Sequence, residues 1–219
     1  MEDIALLKCN NYKVNNVEKA LRKGFELLGG DAFINRLIPR NSHVLLKPNF
    51  LTAAEKGSHI ITHVSVFEAA VRIIKDYTDK ISYGDSPGLG SFSAAAEKSG
   101  FKVVAAKYGV KCDDFHETVH VELENPLLYK YWEVAKAPYE ADVLITLPKL
   151  KTHGMMYYTG AIKNQFGCIP GFKKAEWHTK QPRTLDFGKM LLDLNSVVKT
   201  SFAILDGIVA MEGNGPRNG

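Results

Sequence analysis

The 219-residue chain carries a formal charge of +4, from 28 basic against 24 acidic side chains, with 45% hydrophobic residues, enough apolar content for one substantial core or two closely packed lobes. So small an excess does not by itself mark a nucleic-acid surface, and no apolar run approaches the roughly 20 residues of a membrane helix or forms a cleavable leader. Cys9, Cys112 and Cys168 are odd in number and far apart, which argues against a disulfide framework and against a zinc or iron–sulfur centre held by this chain alone.

These bounds describe a cytoplasmic protein without nucleic-acid or membrane partners. Short apolar runs at Ile4–Leu7, Val44–Leu46, Val143–Leu147 and Phe202–Leu205 fit strands buried on both faces. Helical spacing joins Val14, Val17, Leu21, Phe25 and Leu28 ahead of Gly29-Gly30. It recurs in Val66, Ala70, Ile73 and Tyr77, and again between Asp186 and Lys199. Ile81 opens a strand that runs into a glycine-rich turn, with a helix expected from Ser91. Val119, Val121 and Leu123 alternate with polar residues before Asn125-Pro126, so an antiparallel hairpin is expected near residues 117–135. The expected fold is α/β, a mostly parallel or mixed sheet flanked by helices, in a single domain over residues 1–219. Four glycines from Gly207 onward, with Pro216, make the tail from Asp206 read as a loop, and suggest a piece of a longer chain.

Charge is biased locally. From Val143 to Ala175 there is no Asp or Glu, whereas Lys149, Lys151, Lys163, Lys173 and Lys174 all fall there. Lys149, Lys151 and His153 directly follow a buried strand, and ligands of open α/β sheets bind beyond the carboxyl ends of strands. The alternative is a solvated lysine loop, since lysine heads normally stay hydrated. Lys163 and Asn164 offer charge and amide donors, and Gly160, Gly167 and Gly171 allow close backbone approach. Lys47 and Asn49 end another strand, and Asp85 and Ser86 a third, where they could orient a substrate hydroxyl. Lys163 or Lys149, crowded by other cations, could act as base or nucleophile if its pKa were lowered. His178, Glu176, Asp206 and Glu212 are further acid–base candidates.

His116-Glu-Thr-Val-His120 matches the zinc metalloprotease pattern, with Glu140 as a distant third ligand. That geometry needs a helix, and β-branched Thr118, Val119 and Val121 argue for a strand instead.

With Lys47-Pro-Asn49, Gly84-Asp-Ser-Pro-Gly88, Leu147-Pro-Lys-Leu-Lys-Thr-His153, Gly160-Ala-Ile-Lys-Asn164 and Gly167-Cys-Ile-Pro-Gly171 in order, the chain resembles the domain of unknown function 362 family. Many members carry an appended ferredoxin-like domain with clustered cysteines. The resemblance therefore implies a redox association through a further segment or a separate ferredoxin partner. Lys151-Thr-His153 through Gly160-Ala-Ile-Lys163, with His178, is also distantly similar to nickel-dependent lactate racemases. That likeness implies a nickel cofactor near Lys163, with His153 and His178 as ligands or bases.

Three readings follow. The first is a redox-associated enzyme or accessory binding an anionic cofactor or substrate, such as a flavin or nucleotide, in a cleft of Lys47, Asp85, Lys149, Lys151, His153, Lys163 and Asn164. The second is a metal-dependent racemase or isomerase. The third is a non-enzymatic module that docks an acidic partner such as ferredoxin.

Overall fold

The computed structural model describes residues 3–88, 90–113, 115–171 and 173–216. Ile4–Leu7 is not a strand. It pairs with no strand among the described residues, with Ile4 and Leu6 exposed and Leu7 laid against Gly24, so its alternation reflects a segment resting one side on a helix. That helix, α1 (Val14–Leu27), turns Val17 and Phe25 inward and ends where Gly29 adopts φ +117°, a conformation disfavoured for other residues. A short α2 (Gly30–Leu37), opened by the same glycine, leads to β1 (Val44–Pro48).

The alternation of β and α expected from the apolar runs then begins. Helix α3 (Val64–Ile74) is almost wholly buried, and its first turn is capped by His63, whose Nδ1 accepts from Ser65 N. Strand β2 (Ile81–Gly84) follows, then α4 (Phe92–Lys98), capped by Ser91, then α5 (Phe101–Tyr108) and β3 (Lys111–Asp113). The expected hairpin is present as β4 (Thr118–Glu122) and β5 (Tyr131–Ala135), antiparallel with His120 opposite Glu133. His120 thus sits on a strand, without the helical turn that the metalloprotease pattern needs.

After α6 (Lys136–Glu140) comes β6 (Val143–Leu147), buried along its whole length. The supposed lysine loop is itself a strand, β7 (Lys149–His153), paired with β8 (Tyr157–Thr159). Helix α7 (Ala161–Asn164), a 3-10 turn (Gln165–Cys168), α8 (Lys173–Lys180) and α9 (Thr184–Val197) close the second half. Strand β9 is shorter than the apolar run suggests, Phe202–Ala203. The glycine-rich tail is no loop at its start: β10 (Asp206–Met211) pairs in parallel with β7. Its Gly207 packs close to Leu150, so this glycine marks a close approach and not a turn.

The main sheet has the order β3-β2-β1-β6-β9 and is parallel throughout. Val44, Leu46, Ile145 and Leu147 face one apolar cluster with α3 and α5, whereas Leu45 and Leu144 face another with α9 and the hairpin. This is the period-two alternation of a sheet covered on both sides. Chain progression moves from β1 to β2 and β3 on one side, then returns to β6 and β9 on the other. The order reverses between β1 and β6, the position where such sheets leave a crevice beyond their carboxyl ends. Among the described residues no helix is long and apolar enough to cross a membrane.

Candidate functional site

Two strand ends, those of β1 and β2, frame that crevice. Beyond β2, the buried carboxylate of Asp85 takes Lys47 Nζ at 2.8 Å, Phe50 N at 2.8 Å and Ser86 N at 2.9 Å. The pair packs onto Gly167, where a Cβ would lie 2.0 Å from Asp85 Oδ1 and 2.6 Å from Lys47 Nζ. Only glycine leaves room there.

Asn164 ties α7 to both central strands. Its Nδ2 donates to Lys47 O at 3.1 Å and Thr146 Oγ1 at 2.7 Å, and its Oδ1 accepts from Asn49 Nδ2 at 2.9 Å. Because a carbonyl can only accept, Lys47 O fixes which way the Asn164 amide points, and Asn164 in turn orients Asn49.

Around these residues lies a cavity of about 280 Å³. Residues i and i+2 of a strand share a face, and β7 thereby presents both Lys151 and His153 to it; α7 adds Lys163, and α8 adds Lys174 and His178. Lys151 donates to Ile60 O at 2.6 Å, and Lys174 to Ser86 Oγ at 2.8 Å. Lys163 makes no hydrogen bond or ion pair among the described residues; its ammonium lies 6.0 Å from the Phe166 ring. His178 stacks on Phe187 with ring centroids 4.8 Å apart.

Burial with too few counter-charges has a direct electrostatic consequence. Desolvation, followed by the charge of Lys163, brings Lys151 down to about 7. Desolvation alone brings Lys163 to about 8. Lys174 also falls to about 8, its desolvation partly offset by Asp85. His153 drops to about 4 by desolvation and by the nearby Lys163, and its Nδ1 accepts from the Met155 and Met156 amides. The imidazole is therefore neutral at pH 7, with its proton on Nε2.

The structure brings Lys47, Asn49, Asp85, Ser86, Lys151, His153, Lys163, Asn164, Gly167 and His178 to one place. It does not bring Lys149 there. Its Nζ turns to a separate buried cluster, 3.0 Å from Asp206 Oδ2 and 2.8 Å from Tyr12 OH. Nor is the basic window without acidic partners: Asp206 and Glu133 reach Lys149 and Lys173 from distant parts of the chain. Asp206 is consumed in this way, Glu176 is an exposed partner of Lys180, and Glu212 is exposed away from the cavity. Gly171 has φ +54° and donates its N–H to Ser86 Oγ at 3.1 Å.

Lys174 and Thr159 were missed as site residues. Lys174 and His178 are one helical turn apart, a spacing readable once α8 is recognised. Thr159 depends on strand pairing across from Lys151, which composition does not show.

The molecule is thus an α/β protein of the open parallel-sheet class, with an amine-lined cavity at its strand ends. The chain belongs to the family described as a domain of unknown function, DUF362, whose model matches residues 44–219. It is 33% identical over 220 residues to a thylakoid-associated protein of Synechocystis, covering 100% of this chain and 67% of that relative. Among solved structures it is similar to a Thermotoga maritima protein, with a TM-score of 0.51 and 12% identity over 90% of this chain and 46% of that one. That likeness concerns the fold, and the chain spans less than half the length of the solved protein.

Proposed function

We propose that the chain binds an anionic substrate or cofactor in the strand-end cavity and holds it for proton-transfer chemistry. The observation that carries this reading is an imbalance of charge. Lys151, Lys163 and Lys174 line one cavity whose carboxylate, Asp85, is already taken by Lys47 and two backbone amides. Cations held this way are costly without an anion, and one placed among them would restore their protonated form. His153 offers an Nε2–H donor, and Lys163 is an unpaired amine able to exist in either protonation state near neutral pH.

Burial also separates the earlier readings. Lys151 and Lys174 are 4% and 8% exposed, which favours a small ligand over an acidic protein docked on a lysine surface. A cavity of about 280 Å³ falls just below the usual range for drug-sized ligands, which favours something smaller than a flavin or dinucleotide. His153 and His178 line the cavity, and no group of three His, Cys, Asp or Glu side chains converges among the described residues, so a nickel ion there would need further donors from a cofactor. An isomerase reading then rests on Lys163 and the imidazoles as acid–base groups. The cytoplasmic setting stays with this proposal; the name of the Synechocystis relative associates that protein with thylakoids.

The test is calorimetric titration of the protein with inorganic phosphate and sulfate at low ionic strength. Binding is expected, and Lys163→Ala should weaken it by about tenfold or more, the worth of one charge-assisted hydrogen bond. Failure of the unmodified protein to bind either anion overturns the reading.

A further inference from the structure

The donors around the cavity fall into two groups. Thr159 lies directly across the β7–β8 ladder from Lys151, is 2% exposed, and has no hydrogen-bond partner for its hydroxyl among the described residues. Lys163 is unpaired among the described residues, and Lys151 spends one N–H on Ile60 O, leaving two. The charges of Lys151, Lys163 and His178 all act on His153, so these side chains form one electrostatic neighbourhood.

Lys174 belongs to another. Its Nζ donates to Ser86 Oγ at 2.8 Å, on the side of the cavity where Asp85 partly offsets its desolvation. Its companion, Ser86, accepts from both Lys174 Nζ and Gly171 N. Both hydroxyl lone pairs are thus engaged, and the hydroxyl proton of Ser86 has no acceptor among the described residues. Lys174 keeps two further N–H donors.

We infer that the cavity takes a small ligand with two anionic groups, one seated by Lys151, Lys163 and Thr159 and the other by Lys174 and Ser86. This rests on the anion-binding reading above and adds the substrate class: a compact compound with phosphate or carboxylate at each end. The room available sets the size. At about 30 Å³ per water, a cavity of about 280 Å³ displaces on the order of nine waters, room for a two- or three-carbon skeleton with its anionic ends. The spare donors are of the kind that anions satisfy with short, charge-assisted bonds.

The experiment compares inorganic phosphate, acetate and 2-phosphoglycolate by titration calorimetry at pH 7 and fixed ionic strength. 2-Phosphoglycolate is expected to bind at least about tenfold tighter than phosphate or acetate, the gain from one additional charge-assisted contact. Lys174→Ala should remove that advantage and leave phosphate within about threefold of its original affinity, because phosphate prefers the more strongly charged Lys151–Lys163 end. Should Lys174→Ala fail to fold, Ser86→Ala, which removes only a hydroxyl, reads out the same end. Equal affinities for 2-phosphoglycolate and phosphate would overturn the two-anion proposal while leaving anion binding intact. No binding of any probe would instead overturn the reading beneath it.

Discussion

Lys149 and Lys163 lie in one basic stretch, fourteen residues apart in the chain, and reach opposite situations. Lys149 is fully buried in a closed cluster: Asp206 Oδ2 at 3.0 Å, Tyr12 OH at 2.8 Å, and Tyr12 itself stacked on His63 at 3.8 Å. Asp206 also accepts from Tyr12 OH and from His63 N, so each polar group there has a partner. Lys163 faces a cavity with none. The difference teaches that a run of lysines is not one feature. A buried amine with its carboxylate fastens β7 to β10, whereas a desolvated amine without one is poised for a ligand.

The largest break in that comparison should come from Asp206→Asn, which keeps the shape of the carboxylate and removes its charge. Lys149 would be left as a buried, uncompensated cation, and breaking such a pair costs about 3–5 kcal/mol. Urea unfolding should show that loss, and adding Lys149→Met should recover most of it by removing the stranded charge. Lys163→Ala should by contrast leave the unfolding midpoint unchanged or raised, since it deletes a desolvation penalty. Equal destabilisation by Asp206→Asn and Lys163→Ala would abolish the distinction between the two regions.

A smaller effect is expected where the cavity meets its own buried pair. Gly167→Ala drives a methyl group to within 2.0 Å of Asp85 Oδ1 and 2.6 Å of Lys47 Nζ, an overpacking that costs about 1–3 kcal/mol. Both atoms belong to buried side chains that cannot swing aside into water. The loss in thermal or urea stability should come with weakened anion binding, because Asp85 also fixes the amide of Ser86. Stability and affinity both unchanged would mean that the Lys47–Asp85 pair does not pack on Gly167 as described.

Much of this architecture was legible in the sequence, for identifiable reasons. The buried strands at Val44 and Val143 carry unbroken apolar runs, the hairpin alternates at Val119 and Val121, and the long helices repeat at helical spacing. The cavity's location followed from polar residues at strand ends, Lys47-Pro-Asn49 and Asp85-Ser86, which a parallel sheet gathers along one edge. What stayed hidden depends on long-range pairing. Ile4–Leu7 is as apolar as a core strand, but no strand pairs with it. Lys149 and Lys151 share a face of β7, yet β10 supplies Asp206 to the first and not to the second. Nothing near Lys149 in the chain announces a carboxylate 57 residues away.

The smallest and most discriminating effect is a pH dependence. Lys151 titrates near 7, and Lys163 and Lys174 near 8. A bound anion would draw all three back toward their usual range, so the complex holds more protons than the free protein around pH 8. Affinity must then fall as pH rises through about 7 to 8, by up to tenfold per pH unit for each proton taken up. Sulfate is a suitable probe because it does not titrate in this range. Its dissociation constant should rise at least about tenfold between pH 7 and 9, and calorimetry in buffers of different ionisation enthalpy should register proton uptake. Stability of the ligand-free protein has the opposite slope. These amines have folded pKa values below their unfolded ones, so the unfolded chain binds more protons between about pH 8 and 10.5, and folding becomes more favourable as pH rises there. Lys149 lacks the first of these responses, because its charge is matched by Asp206 and it does not line the cavity. A sulfate affinity that stays level from pH 6 to 9 would place Lys163 with Lys149, as a structural amine and not a binding one.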